Sequence, residues 1–421
     1  MSIIDIVKLA AAILTLSAVF GYINHRWLKF PHTIGLVVIA LLASMGTIGF
    51  DLLFPGLHLK ATLAGQLDRI DLTDTLMHGM LGLLLFAGAM HVNLDILAER
   101  KWAIGGMATM GVLISTFIVG AGSWLVLDFL GIPMAFAWCL VFGALISPTD
   151  PVAVLGILKT VKVPESLEAK IAGESLFNDG VGVVVFTILL AVAVGADGGG
   201  AGHGPGAGDM ALLFLRETVG GAAIGLVCGY VAYRAMRTID EHNLEVLITL
   251  ALVFLITALA QAVHASAPIA AVVAGLLIGN HGTRFAMSDK TALHVQTFWS
   301  LIDEILNSVL FLIIGFEVLA LALNGPTMIA ALLAIPLVLA ARLVAVATPV
   351  GLLRIREKFT KGAVRVLTWG GLRGGISVAL ALSLPAGAEK DAILVITYGV
   401  VIFSIIVQGL SVGWVVKRVV R

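Results

Sequence analysis

The chain has 421 residues, of which 59% are hydrophobic and 12% are charged, and its formal net charge is zero. Soluble globular domains carry about 25% charged residues, so this composition excludes a soluble globular protein, and the charge balance gives no basis for binding nucleic acid. Apolar runs of roughly 20 residues, each long enough to cross a bilayer, recur from end to end. The sequence therefore predicts an all-α polytopic membrane protein with no soluble regulatory domain.

The apolar runs predict about 13 transmembrane helices, by the rule that about 20 residues span a membrane. In chain order they cover residues 3–23, 31–50, 72–92, 103–130, 133–158, 167–196, 210–236, 242–264, 267–280, 295–323, 326–353, 363–385 and 391–416. Most of the 26 lysines and arginines fall in alternate connections, from Arg26 and Lys29 to the tail residues Lys417 and Arg418. Because positively charged loops stay in the cytoplasm, we expect a cytoplasmic C-terminus and an external N-terminus in the plasma (inner) membrane.

Two of the predicted helices are interrupted. The fifth contains the run Ser-Pro-Thr-Asp-Pro at 147–151, and the twelfth contains Gly-Gly-Leu-Arg-Gly-Gly at 370–375. Proline removes a backbone donor and breaks a helix. Interrupted helices at corresponding positions of two halves indicate a transporter with a site near the middle of the membrane. We therefore predict two inverted six-helix repeats joined by a seventh helix, with interrupted helices 5 and 12 crossing at an ion site.

The sixth helix carries the polar groups for such a site. Ser175, Asn178 and Asp179 are spaced so that they share one helix face, and Thr149 and Asp150 lie in the neighbouring break. A hydroxyl, an amide and a carboxylate suit a small alkali cation, so we predict Na⁺ at Asp179, Ser175 and Thr149. When the cation leaves, burial favours protonation of Asp179, so that cation and proton compete. A proline kink with a capping aspartate and a polar helix interface are the structural alternatives.

Other charged residues at membrane depth are not assigned to ion binding by their spacing. Glu174 and Arg342 are predicted to form a structural ion pair. Arg373 either neutralises the C-terminal ends of half-helices or makes a structural contact. Asp303 and Glu304 lie early in the tenth predicted helix, where they line a cytoplasmic funnel or belong to a solvated helix end.

The sequence contains no phosphate-binding loop, no paired-metal spacing and no nucleophile triad. It therefore predicts a secondary transporter rather than an enzyme or an ATP-driven pump, with no cofactor and no nucleotide. Exchange of Na⁺ or Li⁺ for H⁺ is the main hypothesis, and K⁺/H⁺ exchange stays open. A cation channel and a structural membrane subunit are the alternatives from other classes.

Three motifs resemble those of the monovalent cation:proton antiporter family, in its electroneutral NhaP/NHE-like branch. They are the run at 147–151, Glu-Ser-Leu-Phe-Asn-Asp-Gly at 174–180, and Trp-Gly-Gly-Leu-Arg-Gly-Gly at 369–375. The resemblance covers nearly the whole chain and implies 13 helices, a homodimer and elevator-type alternating access. It implies a core in the helices near 72–196 and 295–416, and a dimerisation scaffold in those near 1–50 and 210–280.

By position, Asp179 matches the family's essential ion- and proton-binding aspartate, and Asn178 matches the asparagine that distinguishes this branch. The other matches are Thr149, Asp150 and Ser175 as further site residues, and Glu174 with Arg342 as the buried ion pair. The chain departs from the family at Ala87, where a glutamate often follows the phenylalanine matching Phe86. The resemblance therefore implies a difference in ion affinity, selectivity or operating pH.

Overall fold

The computed structural model describes residues 3–54, 79–95, 101–150, 154, 165–197, 207–319, 321, 324–353 and 362–419. Within these ranges the protein is almost entirely helical, and the one extended pairing is an isolated antiparallel bridge between Asp150 and Leu372. Nine helices in the described ranges are long and apolar enough to cross a membrane. The prediction of an all-α polytopic fold is confirmed, whereas the 13 helices and the inverted repeats stay predictions.

The helices have the following bounds in chain order: α1 Ile3–Ile23, α2 His32–Leu53, α3 Leu81–Met90, α4 Lys101–Phe129, α5 Phe136–Ile146, α6 Glu165–Asp197, α7 Ala207–Leu215, α8 Gly221–Met236, α9 His242–Ala262, α10 Ala267–Leu277, α11 Thr283–Phe285, α12 Asp289–Glu317, α13 Gly325–Leu353, α14 Ala363–Trp369, α15 Gly375–Leu382, α16 Ala388–Phe403 and α17 Gly409–Val419. Short π-helical segments follow α1 and join α7 to α8, α10 to α11 and α16 to α17; they are Asn24–Leu28, Arg216–Gly220, Ile278–Gly282 and Ser404–Gln408. Most predicted boundaries agree with these within a few residues. The start of the third predicted helix, the end of the fifth and most of the glycine-rich loop at 195–209 lie outside the described residues.

Helix α12 begins six residues before the predicted start at 295, because Ser288 provides an N-cap. The Ser288 backbone is extended, and the Ser288 Oγ accepts a hydrogen bond from the Thr291 N–H at 3.4 Å. Asp303 therefore lies near the middle of α12 rather than early in it, so its assignment to a helix end is wrong. The Asn307 amide donates to Asp303 Oδ1 at 3.0 Å, one turn further along.

The interrupted fifth helix lies in an apolar core. Trp138 and Phe142 of α5 pack in one cluster with Phe311 of α12 and Tyr398 of α16. Helix α4 lies directly against α5, since a Cβ at Gly143 would approach the Thr116 carbonyl oxygen to 2.3 Å. Such close packing fixes the end of α5 and hence the position of the polar break that follows it.

A second apolar cluster joins α3, α6, α9 and α12. It contains Phe86, Leu176, Val253 and Trp299. The Trp299 ring lies 4.6 Å from that of Phe86, and its indole N–H donates to Thr249 Oγ1 at 3.0 Å. This cluster packs against the face of α6 that carries Leu176, next to the polar residues of the predicted site.

Candidate ion-binding site

The break after α5 exposes backbone groups inside the protein. Helix α5 ends at Ile146, and the Ser147 hydroxyl donates back to the Gly143 carbonyl at 2.6 Å. Pro148 offers no N–H, so the helical ladder stops there. Asp150 then pairs with the second break, since its N–H donates to the Leu372 carbonyl at 2.8 Å. The two interrupted segments therefore meet, as the sequence predicts.

The second break, between α14 and α15, is made by glycines that leave room for other side chains. A Cβ at Gly374 would lie 2.2 Å from Asp150 Oδ2, and one at Gly371 would lie 2.5 Å from Arg342 Nε. Gly374 has an extended backbone with φ −131°, so glycine is required there for space and not for a left-handed conformation. The glycines thus allow an acid and an arginine to approach the backbone of the break.

Arg373 of this break reaches the C-terminal end of α5. Its side chain is buried, and its Nη1 donates to the carbonyls of Ser147 and, at 2.9 Å, of Pro148. Its backbone N–H donates to Ser404 Oγ at 2.8 Å. A cation at a helix C-terminus interacts favourably with the unpaired carbonyls and with the helix dipole. Of the two interpretations of Arg373, this geometry matches the contact with a half-helix end.

On α6, Asn178 connects the polar face to the first break. Its Nδ2 donates to Thr149 Oγ1 at 2.8 Å and to Glu174 Oε1 at 3.0 Å, and its Oδ1 accepts from the Thr149 N–H at 3.2 Å. Both amide hydrogens and the amide oxygen are therefore engaged. Ser175 Oγ donates to the Thr149 carbonyl. That carbonyl is not free here, so a cation would share it with Ser175 or replace the contact.

Glu174 and Arg342 form a bidentate pair. Arg342 Nη1 lies 2.7 Å from Glu174 Oε1, and Nη2 lies 2.8 Å from Oε2. Both side chains are buried, at 2% and 5% exposure. Arg342 also donates to the Leu367 carbonyl at 3.3 Å. The pair joins α6 to α13 and, through Leu367, to the end of α14.

Asp179 differs from these residues because it has an oxygen without a partner. It is buried, and its Oδ1 accepts no hydrogen bond from any described residue. The charges of Asp150, Glu174 and Arg373 all act on it. Burying a carboxylate without compensation is costly, so Asp179 requires a cation or a proton. The described residues contain no group of three or more His, Cys, Asp or Glu side chains that could hold a metal ion.

Ala87 lies on α3 and is completely buried, in the same apolar cluster as Leu176 of α6. Its carbonyl accepts a hydrogen bond from the His91 ring at 2.7 Å. The position where relatives often carry a glutamate is therefore part of the apolar packing in this chain.

The structure brings all of the predicted site residues near one crossing. Sequence reasoning missed Leu372 and Ser404, which bond the backbones of Asp150 and Arg373. It also missed Gln408, whose amide donates to the Trp369 carbonyl at 3.0 Å. The glycine run around Leu372 could have predicted a close backbone contact. The sequence gives no sign of which residue a serine or glutamine in an apolar helix will bond.

Two broken helices meeting in an apolar bundle, with buried carboxylates and arginines at the crossing, define an integral membrane transporter. The family model for the transmembrane sodium/hydrogen exchanger matches residues 14–418. The chain therefore belongs to this family, in the NhaP branch of the cation:proton antiporters, and is a secondary transporter rather than an enzyme.

Named relatives and solved structures agree with this assignment. The Na(+)/H(+) antiporter NhaP of Pseudomonas aeruginosa is 46% identical over 416 residues, covering 98% of this chain and 96% of the relative. The Na(+)/H(+) antiporter NhaH of Halobacillus dabanensis is 36% identical over 82% of this chain and 83% of its own length. The fold is similar to that of the sodium proton antiporter MjNhaP1 from Methanocaldococcus jannaschii at pH 8, with a TM-score of 0.76 at 18% identity and complete coverage of both chains.

Proposed function

We propose that this protein exchanges Na⁺ (or Li⁺) for H⁺ in a 1:1, electroneutral antiport. The observation that carries this function is the buried Asp179 carboxylate, whose Oδ1 has no partner among the described residues. Ser175 lies one turn earlier on the same face of α6 and contacts Thr149, and their hydroxyl and carbonyl oxygens can replace hydration water. One cation or one proton would neutralise Asp179, and the two would compete.

The charges at the crossing support a stoichiometry of one to one. Two guanidinium groups, of Arg342 and Arg373, face three carboxylates, of Asp150, Glu174 and Asp179. The sum is one uncompensated negative charge. A single Na⁺ or a single H⁺ cancels it, so the loaded site carries the same charge in both directions of transport.

The names of the relatives support the choice of ions, because both of those named above are Na(+)/H(+) antiporters. We further propose that the core moves like an elevator against a dimerisation scaffold, in a homodimer in the plasma (inner) membrane with an external N-terminus and a cytoplasmic C-terminus. Family resemblance and the positive charge of alternate loops support these points.

Reconstitution into proteoliposomes tests both the ion and the stoichiometry. Na⁺, Li⁺ and K⁺ are compared at pH values from 6 to 9 while internal pH is followed, with and without an imposed voltage. We expect saturable Na⁺- and Li⁺-driven proton movement that is insensitive to voltage. A response to voltage contradicts the 1:1 exchange, a preference for K⁺ assigns K⁺/H⁺ antiport, and current without a proton gradient indicates a channel.

The substitution Asp179→Asn tests the assignment of the site. The amide can neither release a proton nor cancel a cation's charge, so exchange should be lost while the protein still inserts and stays folded. Asp391→Asn is the matched control, because Asp391 is an exposed acid in the first turn of α16. A fully active Asp179→Asn protein refutes competition at this residue. A structural subunit, which exchanges no ions, would tolerate Asp150→Asn and Asp179→Asn together.

A further inference from the structure

Glu245 is a buried acid that the proposed exchange does not use. It lies in the first turn of α9, its side chain is completely buried, and neither of its oxygens has a hydrogen bond of good geometry with a described residue. The Glu241 backbone is the one group that favours its ionised form. In the part of the chain that the structure describes, no other buried carboxylate leaves both oxygens without a partner. Asp179, by comparison, leaves one.

The groups around Glu245 do not compensate its charge. The one charged side chain that acts on it is Asp240, an acid in the turn between α8 and α9. Hydrogen bonds from the hydroxyls of Ser288 and Thr291 hold the pKa of Asp240 below its usual value, so Asp240 stays ionised and repels a second negative charge. Glu245 forms no ion pair with any described residue, although the neighbouring elements carry several titratable side chains. These are Arg234 and Arg237 at the end of α8, Glu241 and His242 beside Glu245, and Asp289, Lys290 and His294 on α12; α10 carries none.

An ionised carboxylate in this position would be buried next to another anion, with only the Glu241 backbone in its favour, which is unfavourable. We propose that Glu245 is a second proton-binding site, separate from the transport site. Its ligand is H⁺, and the proton stabilises the packing of α9 against α12.

The position of Glu245 explains why the proton would matter to packing. One turn further along α9, Thr249 accepts the hydrogen bond from the Trp299 indole of α12. Trp299 in turn packs against Phe86 of α3, beside Ala87. A negative charge at Glu245 would draw water into this dry interface and loosen the Thr249–Trp299 contact. The neutral acid leaves it intact.

Infrared spectroscopy of the full-length protein tests for the proton directly. The experiment uses the Asp179→Asn background, so that neither transport nor the transport-site proton contributes, and the result is independent of the proposed exchange. We expect a carbonyl band of a protonated carboxylic acid near neutral pH that is lost in Glu245→Gln. A band that is unchanged by Glu245→Gln overturns the assignment.

Thermal unfolding in the same background provides a second readout. The folded protein would hold a proton that the unfolded chain releases above about pH 4.3. The stability of the parent should therefore fall as pH rises, whereas Glu245→Gln removes this dependence. We expect its advantage in Tm over the parent to grow by on the order of 2 °C between pH 5 and pH 9.

Glu241→Gln is the matched control, because Glu241 is an exposed acid at the start of the same helix. It should follow the parent at every pH. Parallel curves for Glu245→Gln and the parent contradict the proton site. A loss of stability in Glu245→Gln that is the same at all pH values would also contradict it, since it would indicate a lost structural contact.

Discussion

Glu174 and Asp179 lie little more than one turn apart on α6, and both are buried, at 2% and 4% exposure. Glu174 has both oxygens bonded to Arg342, and Oε1 also accepts from Asn178. Asp179 has an Oδ1 with no partner among the described residues. The same helix thus presents one carboxylate that is fully compensated and one that is not.

This difference fits a structural role for Glu174 and the proposed ion-binding role for Asp179. The three hydrogen bonds to Glu174 use most of its acceptor positions, and Arg342 balances its charge, so Glu174 serves to hold α6, α13 and the break around Thr149 together. An unsaturated carboxylate must be neutralised by something mobile. Burial by itself therefore does not distinguish the two acids of α6, whereas the accounting of hydrogen bonds does.

The substitution Glu174→Gln should have the largest effect of the changes at these two carboxylates. It leaves Arg342 as a buried guanidinium without its counter-charge, and removing one partner of a buried ion pair typically costs about 3–5 kcal/mol. We expect a large drop in Tm of the detergent-solubilised protein, measured by thermal unfolding.

Asp179→Asn is the matched control, because it removes a carboxylate from the same helix without leaving a cation unpaired. Its Tm should equal or exceed that of the parent. If Glu174→Gln is as stable as Asp179→Asn, the pair does not hold the helices together. Replacing Glu174 and Arg342 together by Leu and Met should recover part of the loss, because no buried charge then remains alone.

The sequence predicts the two breaks and the ion pair of Glu174 with Arg342 well. Prolines and glycines in apolar runs mark both breaks, and a lone carboxylate and a lone arginine at membrane depth predict the pair of Glu174 with Arg342, which the structure places in contact. Helical spacing predicts that Ser175, Asn178 and Asp179 share a face. It does not predict what lies opposite that face, so the engagement of all of Asn178 by Thr149 and Glu174 could not be foreseen.

Longer-range contacts are beyond sequence reasoning for a physical reason. Ser404 lies in an apolar segment and bonds the backbone of Arg373, 31 positions earlier in the chain. Nothing in either segment specifies this partner, because it is set by how α16 and the break pack. Glu245 likewise follows a polar turn and resembles a solvated helix start, and only the folded structure shows that it is buried.

Gly374→Ala changes the opposite side of the site, next to Asp150, and should have an intermediate effect. Its Cβ would lie 2.2 Å from Asp150 Oδ2, so the Asp150 side chain must move away from the crossing. Overpacking typically costs about 1–3 kcal/mol. We expect a roughly tenfold weaker apparent affinity for Na⁺, which corresponds to about 1.4 kcal/mol, in proteoliposome exchange assays.

Gly351→Ala is the matched control for this substitution. Gly351 lies within α13, and a Cβ there would meet no atom within 4 Å. Its exchange should equal that of the parent, and its stability should rise slightly because alanine favours a helix over glycine. If Gly374→Ala also transports like the parent, the position of Asp150 is unimportant for the ion.

The smallest expected effect comes from Ser175→Ala, which separates a hydroxyl at the site from one that only supports the fold. Ser175 Oγ bonds the Thr149 carbonyl, whereas Ser44 Oγ bonds the Gly315 carbonyl at 2.9 Å in a contact between α2 and α12. Each removal costs about 0.5–1.5 kcal/mol. For Ser175→Ala we expect a several-fold increase in the Na⁺ concentration for half-maximal exchange. Ser44→Ala should lower only the Tm, because its hydroxyl is not an ion ligand. Equal effects of both variants on the Na⁺ concentration would show that Ser175, like Glu174, stabilises the fold and that Asp179 binds the ion without its help.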